Sequence, residues 1–274
     1  MPNVKINRAG HKVVEYKFPD TISILPISDV HYGAVEHNRE KWEKFLESVL
    51  ERENVYLVLH GDLINNATRS SVSDIFTETC RPGDQKRKMA EYLYPVKERI
   101  LCAVEGNHEF RSGKDVDDDP MEDIMARLGL CDLYSQIDIF MKVGIGYRNK
   151  ETGPAGRTEH VYTFMITHGA GGGATTGSSV NRNEKYLTYW EGVDCLITGH
   201  THKPSHTKPV HMIFDSSTGE VRQRIMNQVC TASWMNYGGY PIKKMLPPGC
   251  TCEAQEIILK NVDHTREKKM QVLW

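Results

Sequence analysis

Residues 21–31 read TISILPISDVH, a mostly apolar run of strand length that ends directly on Asp29, with His31 two residues further on. The arrangement recurs. VYLVL (55–59) runs into His60-Gly61-Asp62, and ILCAV (100–104) runs into Glu105-Gly106-Asn107-His108. VYTFMIT (161–167) ends at His168, and DCLIT (194–198) at Gly199-His200-Thr201-His202. Short apolar runs bounded by polar turn residues suit strands covered on both faces. Helical periodicity separates the early ones. Trp42, Phe45, Leu46, Val49 and Leu50 fall at i, i+3, i+4, i+7 and i+8 behind Asn38, which is expected to cap the helix. Residues 85–99 place Met89, Leu93 and Val96 on one face, with a kink or break at Pro95. Asp119-Pro120-Met121-Glu122 combines a cap, a first-turn proline and an acid, so a helix carrying Ile124, Met125 and Leu128 starts there and stops at Gly129. Strands alternating with helices predict an α/β fold. In such folds ligands gather at the carboxyl ends of strands, so the five polar clusters are expected to meet at one site.

Outside these runs, residues 4–6 and 13–18 flank Asn7-Arg8-Ala9-Gly10 and read as a hairpin. The tail, 206–274, alternates without a convincing helix and is expected to form antiparallel strands. Two segments are flexible by composition, RSGKDVDDD (111–119) and GAGGGATTGSSVNRN (169–183). Each follows a site motif, so a lid or a disordered surface loop is expected of both. The glycine run fits neither a phosphate-binding P-loop nor a dinucleotide fingerprint. Ser233–Tyr240 contributes three aromatics, for which packing against the sheet edge is preferred over stacking on a base. Arg81, Lys86, Arg87 and Lys88 read as a solvated helix face rather than a nucleic-acid track.

The chain has 274 residues, 39% hydrophobic and 26% charged, with a formal net charge of −2, the balance of an ordinary globular protein without a global field for a polyanion. The first twenty residues hold no apolar core of signal-peptide length, and no uncharged run approaches the ~18 residues of a membrane span. Seven scattered cysteines then predict reduced thiols and a cytoplasmic location. The close pair Cys250-x-Cys252 lacks the four ligands of a structural zinc site.

Each cluster alone is weak: a Gly-Asp is usually a turn, and a histidine after a strand is usually hydrogen-bonded or exposed. Together, in order and with none missing, they point to metal chemistry. Alternation along a strand lets Asp29 with His31, and His200 with His202, each aim two ligands at one point if that geometry persists into the loop. Imidazoles, carboxylates and an amide, with no thiolate, suit Mn²⁺ first and Fe, Co, Zn or Ni as alternatives.

Asp29-Val30-His31, Gly61-Asp62, Gly106-Asn107-His108-Glu109, His168-Gly169 and Gly199-His200-Thr201-His202 resemble the motif series of the calcineurin-like metallophosphoesterases. The resemblance covers Asp29 to His202, about two-thirds of the chain. It implies a four-layer αββα sandwich with two mixed sheets and a binuclear site at their carboxyl edge. A single domain over 1–274 is expected, with the motifs in 21–205 and a mostly β segment, 206–274, completing the second sheet. By the same resemblance Asp29, His31 and His202 hold one metal, and Asn107, His168 and His200 the other. Asp62 bridges them, and His108 is the catalytic histidine. Two divalent cations ~3.5–4 Å apart can share a hydroxide for in-line attack and clamp a phosphoryl group, while His108 assists the leaving group.

The branch is narrowed by Asn65 and Asn66. The protein serine/threonine phosphatases carry a second aspartate and an arginine at those positions, and the purple acid phosphatases a tyrosine ligand at the first. What remains resembles the phosphodiesterase and nuclease side, with a nucleotide or single-stranded nucleic acid as substrate. A phosphomonoesterase on a small metabolite or nucleotide is the alternative, and a non-catalytic scaffold the alternative of another class. Arg69 and Arg111 are the expected phosphate contacts.

Overall fold

The computed structural model describes all residues except Met1, Ser70, 72–74, 147–158, Ala174, Lys244, Leu246, 249–251 and 262–267. Its elements in chain order are β1 (Asn3–Ile6), β2 (Lys12–Phe18), β3 (Ile22–Ile27), α1 (Arg39–Glu51), β4 (Val55–His60), α2 (Pro82–Leu93), β5 (Ile100–Val104), α3 (Asn107–Val116), α4 (Pro120–Leu128), β6 (Tyr134–Ser135) and β7 (Ile139–Ile145). They continue with β8 (His160–Ile166), α5 (Thr176–Leu187), β9 (Cys195–Thr198), β10 (Ser205–Thr207), β11 (Val210–Phe214), β12 (Val221–Ile225), β13 (Asn227–Cys230), α6 (Gly239–Lys243), β14 (Glu256–Lys260) and β15 (Lys269–Leu273).

One sheet has the order β1-β2-β7-β8-β9-β13-β10 and the other β15-β14-β3-β4-β5-β6, each mixing parallel and antiparallel pairs. The sheets face each other: Tyr16 Oη on β2 donates to the Leu101 carbonyl of β5 at 2.6 Å, and Tyr162 Oη on β8 to Lys260 O on β14 at 3.1 Å. Helices cover the outer faces. Trp42, Leu46 and Val49 of α1, Met89 and Leu93 of α2, and Met121, Ile124 and Met125 of α4 join the main core. On the other side Leu187 of α5 closes a second cluster with Met165, Leu196 and Met226. The result is the expected αββα layering, and β5, covered on both sides, is buried along its whole length.

The helix signals hold at residue level. Asn38 accepts from Lys41 N at 3.1 Å, Asp119 from Glu122 N at 2.8 Å, and the helix after Asp119 ends at Gly129. α2 gives way to a 3-10 turn over Tyr94–Arg99, where Pro95 cannot donate to the helix ladder. The basic stretch is internally paired, with Lys86 on Asp118 and Asp123, Arg87 on Asp84, and Lys88 on Glu91. Of the three aromatics in 233–240, Trp234 is buried against Trp42 and Phe45, the packing role preferred from sequence, whereas Tyr237 is exposed.

Three expectations need correction. Residues 111–116 are not a loop but the second half of α3, and 176–183 belong to α5. Both helices turn polar side chains inward, Glu109 and Ser112 in one, Ser179 and Asn183 in the other, so an apolar stripe was not there to be read. In the tail, β13 pairs antiparallel with β10 but parallel with β9, because the chain crosses back between them, and the pattern of a strand carries no record of its neighbour's direction. The short helix α6 also lies in the tail. Cys250 falls outside the described residues, and Cys80, Cys102, Cys131, Cys195 and Cys230 are free thiols. No described helix is long and apolar enough to cross a membrane.

Candidate metal centre

Five strand ends meet along one edge of the paired sheets. The facing sheet's β3, β4 and β5 deliver Asp29 and His31, Asp62, and Asn107 with His108, while β8 and β9 of the other deliver His168, His200 and His202. Pairing continues past the strands: Asp29 N donates to Gly61 O and His31 N to Asp62 O, both at 3.0 Å, and Gly199 N to His168 O at 2.9 Å. The side chains are not aimed by strand alternation, however. Asp29 (φ 54°), His31 (φ 48°), Asp62 (φ 53°), His200 (φ 67°) and His202 (φ 53°) all adopt the left-handed backbone, at roughly 1–2 kcal/mol each for a residue with a Cβ. Five such residues in one cluster mark stored strain of the kind found at functional sites. Close approach explains two of the glycines. A Cβ on Gly106 would lie 2.2 Å from Asp62 N and Oδ1, and one on Gly199 would lie 2.2 Å from Ser28 Oγ.

Three groups of donor atoms lie close enough to hold a cation: Asp29, His31 and His202; His31, Asp62 and His108; Asp62, His168 and His200. In the first, His202 Nε2 is 3.1 Å from Asp29 Oδ1 and 3.0 Å from His31 Nε2. In the last, His168 Nε2 is 3.2 Å from Asp62 Oδ2, 3.3 Å from His200 Nδ1 and 3.1 Å from Asn107 Oδ1, which brings the amide to the same point. Asp62 Oδ2 also stands 3.9 Å from His31 Nε2 and 3.8 Å from His108 Nε2, so one carboxylate oxygen links the last two groups and approaches the first through His31. All seven residues read as ligands, and His108 with them, are thus brought together.

The donor set fits a divalent cation. Asp29 Oδ1 is fully buried and faces the imidazoles of His202 at 3.1 Å and His31 at 3.8 Å, while its Oδ2 accepts from His200 N at 2.9 Å and from Ser28 Oγ. A buried carboxylate ringed by imidazoles is the setting that a shared cation compensates. Burial alone would raise the carboxyls of Asp29 and Asp62, but the surrounding histidines, His202 for the first and His168 and His108 for the second, hold both well below the usual range. His168 shows the reciprocal effect. Burial lowers it, yet the Asp62 carboxylate takes it up to about 10. His168 Nδ1 donates to His60 O at 2.8 Å, which turns Nε2 into the cluster. Behind Asp29, Ser28 Oγ meets Thr231 Oγ1 at 2.7 Å, and Thr231 Oγ1 meets His60 Nε2 at 3.3 Å.

His108 Nδ1 donates to the Asn65 carbonyl at 2.8 Å, the partner that sequence could not name. Burial pushes this imidazole down to about 3. Of the two arginines, Arg69 is exposed and outside the three groups. Arg111 is half-buried within the fields of Asp62, Glu109 and Glu78, with Nη1 buried and, among the described residues, unpartnered.

Glu109 received no role from sequence, yet it organises the site. Its fully buried carboxylate accepts from Asp62 N at 2.8 Å, Leu63 N at 2.7 Å, Ile64 N at 3.2 Å and Gly106 N at 3.1 Å. Burial and the Asp62 charge push it up to about 7. The available signal was its place three residues after Gly106, the reciprocal position of a capping box. Asn66 is likewise structural: Nδ2 donates to His108 O at 2.7 Å and Ser112 Oγ at 2.8 Å. Glu109→Ala strands four buried donors and is expected to cost at least about 3 kcal/mol. Thermal unfolding should then move down by at least about 6 °C. An unchanged melting temperature contradicts the clamp.

The family model for calcineurin-like phosphoesterases matches residues 22–204. No curated protein matches the chain. Among solved structures, the chain is similar to a predicted phosphoesterase from Streptococcus pneumoniae, with 15% identity, a TM-score of 0.37, and 92% of this chain and 89% of that one covered. It is similar to calcineurin-like phosphoesterase YfkN from Bacillus subtilis at 12% identity and a TM-score of 0.39, covering 92% and 90%. A metallophosphoesterase from Sphaerobacter thermophilus is similar at 15% identity and a TM-score of 0.37, covering 87% and 84%.

Proposed function

Since this chain belongs to the calcineurin-like phosphoesterase family and is accordingly a metal-dependent phosphoester hydrolase, we propose that it is a two-cation phosphodiesterase acting on a nucleotide or nucleic-acid ester. Asp29, His31 and His202 hold one cation, and Asn107, His168 and His200 the other. The observation that carries this reading is Asp62, whose Oδ2 faces His31 Nε2 at 3.9 Å and His168 Nε2 at 3.2 Å and so belongs to both sets. Two cations held close together need a shared anion. When bound they supply Lewis acidity and a water acidified towards neutrality, manganese being the first expectation.

The chain's own residues orient the ester and manage the proton. Because the Asn65 carbonyl can only accept, His108 carries its proton on Nδ1 and presents a bare Nε2 to the site. A second proton at Nε2 is disfavoured by burial until a phosphoryl anion arrives beside it. The imidazolium therefore forms with substrate bound and passes its Nε2 proton to the leaving alkoxide. Arg111, with its unpartnered Nη1, binds a non-bridging phosphoryl oxygen, and exposed Arg69 is a second, outer contact.

Charge favours a diester. Arg111 lies within the fields of the carboxylates of Asp62, Glu109, Glu78 and Asp115. A monoester carries about −1.5 to −2 near pH 7, a diester a single charge, so the latter needs less cationic recognition beyond the ligands. With Mn²⁺ present, bis-p-nitrophenyl phosphate is expected to be hydrolysed faster than p-nitrophenyl phosphate, and single-stranded DNA or a cyclic nucleotide to be cleaved. A faster monoester rate turns the reading to a phosphomonoesterase. Arg111→Ala should lower kcat/KM by about 10- to 100-fold, the worth of one charge-assisted hydrogen bond, with folding intact. Unchanged kinetics remove Arg111 from the substrate site.

A further inference from the structure

β11 and β12 form a two-stranded ribbon outside both sheets, and among the described residues each pairs only with the other. Residues directly opposite in an antiparallel pair share a face. The register Val210↔Ile225, Met212↔Gln223 and Phe214↔Val221 builds one face, and His211↔Arg224 with Ile213↔Arg222 the other. The second face leans on the body of the molecule at three of its four residues: His211, Ile213 and Arg224 are half-buried, Arg222 is exposed, and Arg224 Nη2 donates to Asp194 Oδ1 at 3.3 Å. At the base of the ribbon Met226 N donates to Pro209 O at 3.0 Å, and Met226 is itself buried. The first face points away from the body. Val210, Met212, Phe214, Val221 and Ile225 are between 48% and 66% exposed.

The ribbon is therefore inverted, polar side inward and apolar side outward, the opposite of what a solvated hairpin adopts. Five side chains exposing on the order of 100 Å² each make a patch of about 500 Å², near the upper end of what a lone chain leaves bare. We propose that this face is a two-fold interface with a second copy of the chain, ribbon packed on ribbon. Two such patches placed face to face bury about 1,000 Å² in total, the least that a biological interface buries, so the ribbons form its centre. An isologous contact requires a surface that tolerates itself. This face meets the requirement, since its sixth residue is the neutral Gln223 and no charged side chain lies on it. Two copies can thus meet without like charges being opposed.

Sedimentation equilibrium at high micromolar concentration tests the proposal. The wild-type chain is expected to sediment at twice its 31.2 kDa mass, and Met212→Lys/Phe214→Lys at the single mass. Both side chains point away from the chain's own core, so the variant should keep its melting temperature. If the double variant proves poorly folded, Val221→Glu provides the same reading from the other strand. Raising the salt concentration should leave an apolar dimer intact. A monomeric wild type overturns the proposal, including one that binds phosphatidylcholine vesicles instead. So does a dimer that survives both variants, or one that salt dissociates.

Discussion

Asp62→Ala is expected to abolish turnover of a phosphodiester. Its carboxylate is fully buried, is held ionised by the histidines around it, and belongs to two of the three groups of donor atoms. Its other oxygen accepts from His108 N at 2.8 Å, so it also fixes the residue beside the leaving group. On the two-cation reading, removing it takes away the anion that the two cations would share, and it releases the start of α3. The loss of several kcal/mol of transition-state stabilisation corresponds to a fall in kcat of roughly a thousandfold or more. The measurement is the steady-state rate on bis-p-nitrophenyl phosphate over a range of Mn²⁺ concentrations. Added metal should not restore the rate, because the missing group is the shared one. Recovery of near wild-type kcat at high Mn²⁺ would mean that Asp62 only tightens binding.

His108→Ala should show a different signature, set by the leaving group. If Nε2 protonates the departing oxygen, the residue matters little when that oxygen leaves readily. The variant should therefore lose less than about tenfold on a p-nitrophenolate ester, but about 10²- to 10⁴-fold on an alkoxide-leaving substrate such as single-stranded DNA. Metal content should stay at the wild-type level, since the proposed ligands are all retained. Equal losses on both substrates would assign His108 to charge stabilisation of the phosphoryl oxygens instead. A loss of metal would make it a ligand, which its place in one donor group with His31 and Asp62 allows as a test.

The parts of the molecule legible in sequence are those where one local rule dominates. β3, β4 and β5 announce themselves because both faces are buried and the runs are continuously apolar. The caps at Asn38 and Asp119 were legible because side chain and backbone satisfy each other within three residues. α3 and α5 were not, because their inward faces carry Glu109, Ser112, Ser179 and Asn183, whose partners lie elsewhere in the chain. Ser179, for instance, meets Thr201 Oγ1 at 3.0 Å, inside the last histidine motif. The residues proposed as ligands were singled out by type and order, but the way they converge was not legible. Asp29, His31, His200 and His202 reach the centre through left-handed turns, a backbone choice that their identities do not signal. His108's partner was hidden for a related reason, being a carbonyl and not a side chain.

Metal stoichiometry tests the two-cation account most directly. After equilibrium dialysis against Mn²⁺ and removal of free metal, elemental analysis of the wild-type chain should give two ions per chain. His202→Ala, which strips a ligand from one set and leaves the other whole, should hold one, and the retained ion should be insufficient for turnover. A wild type that saturates at a single ion, or a His202→Ala chain that still binds two, would contradict the division of Asp29, His31 and His202 from Asn107, His168 and His200 about a shared Asp62.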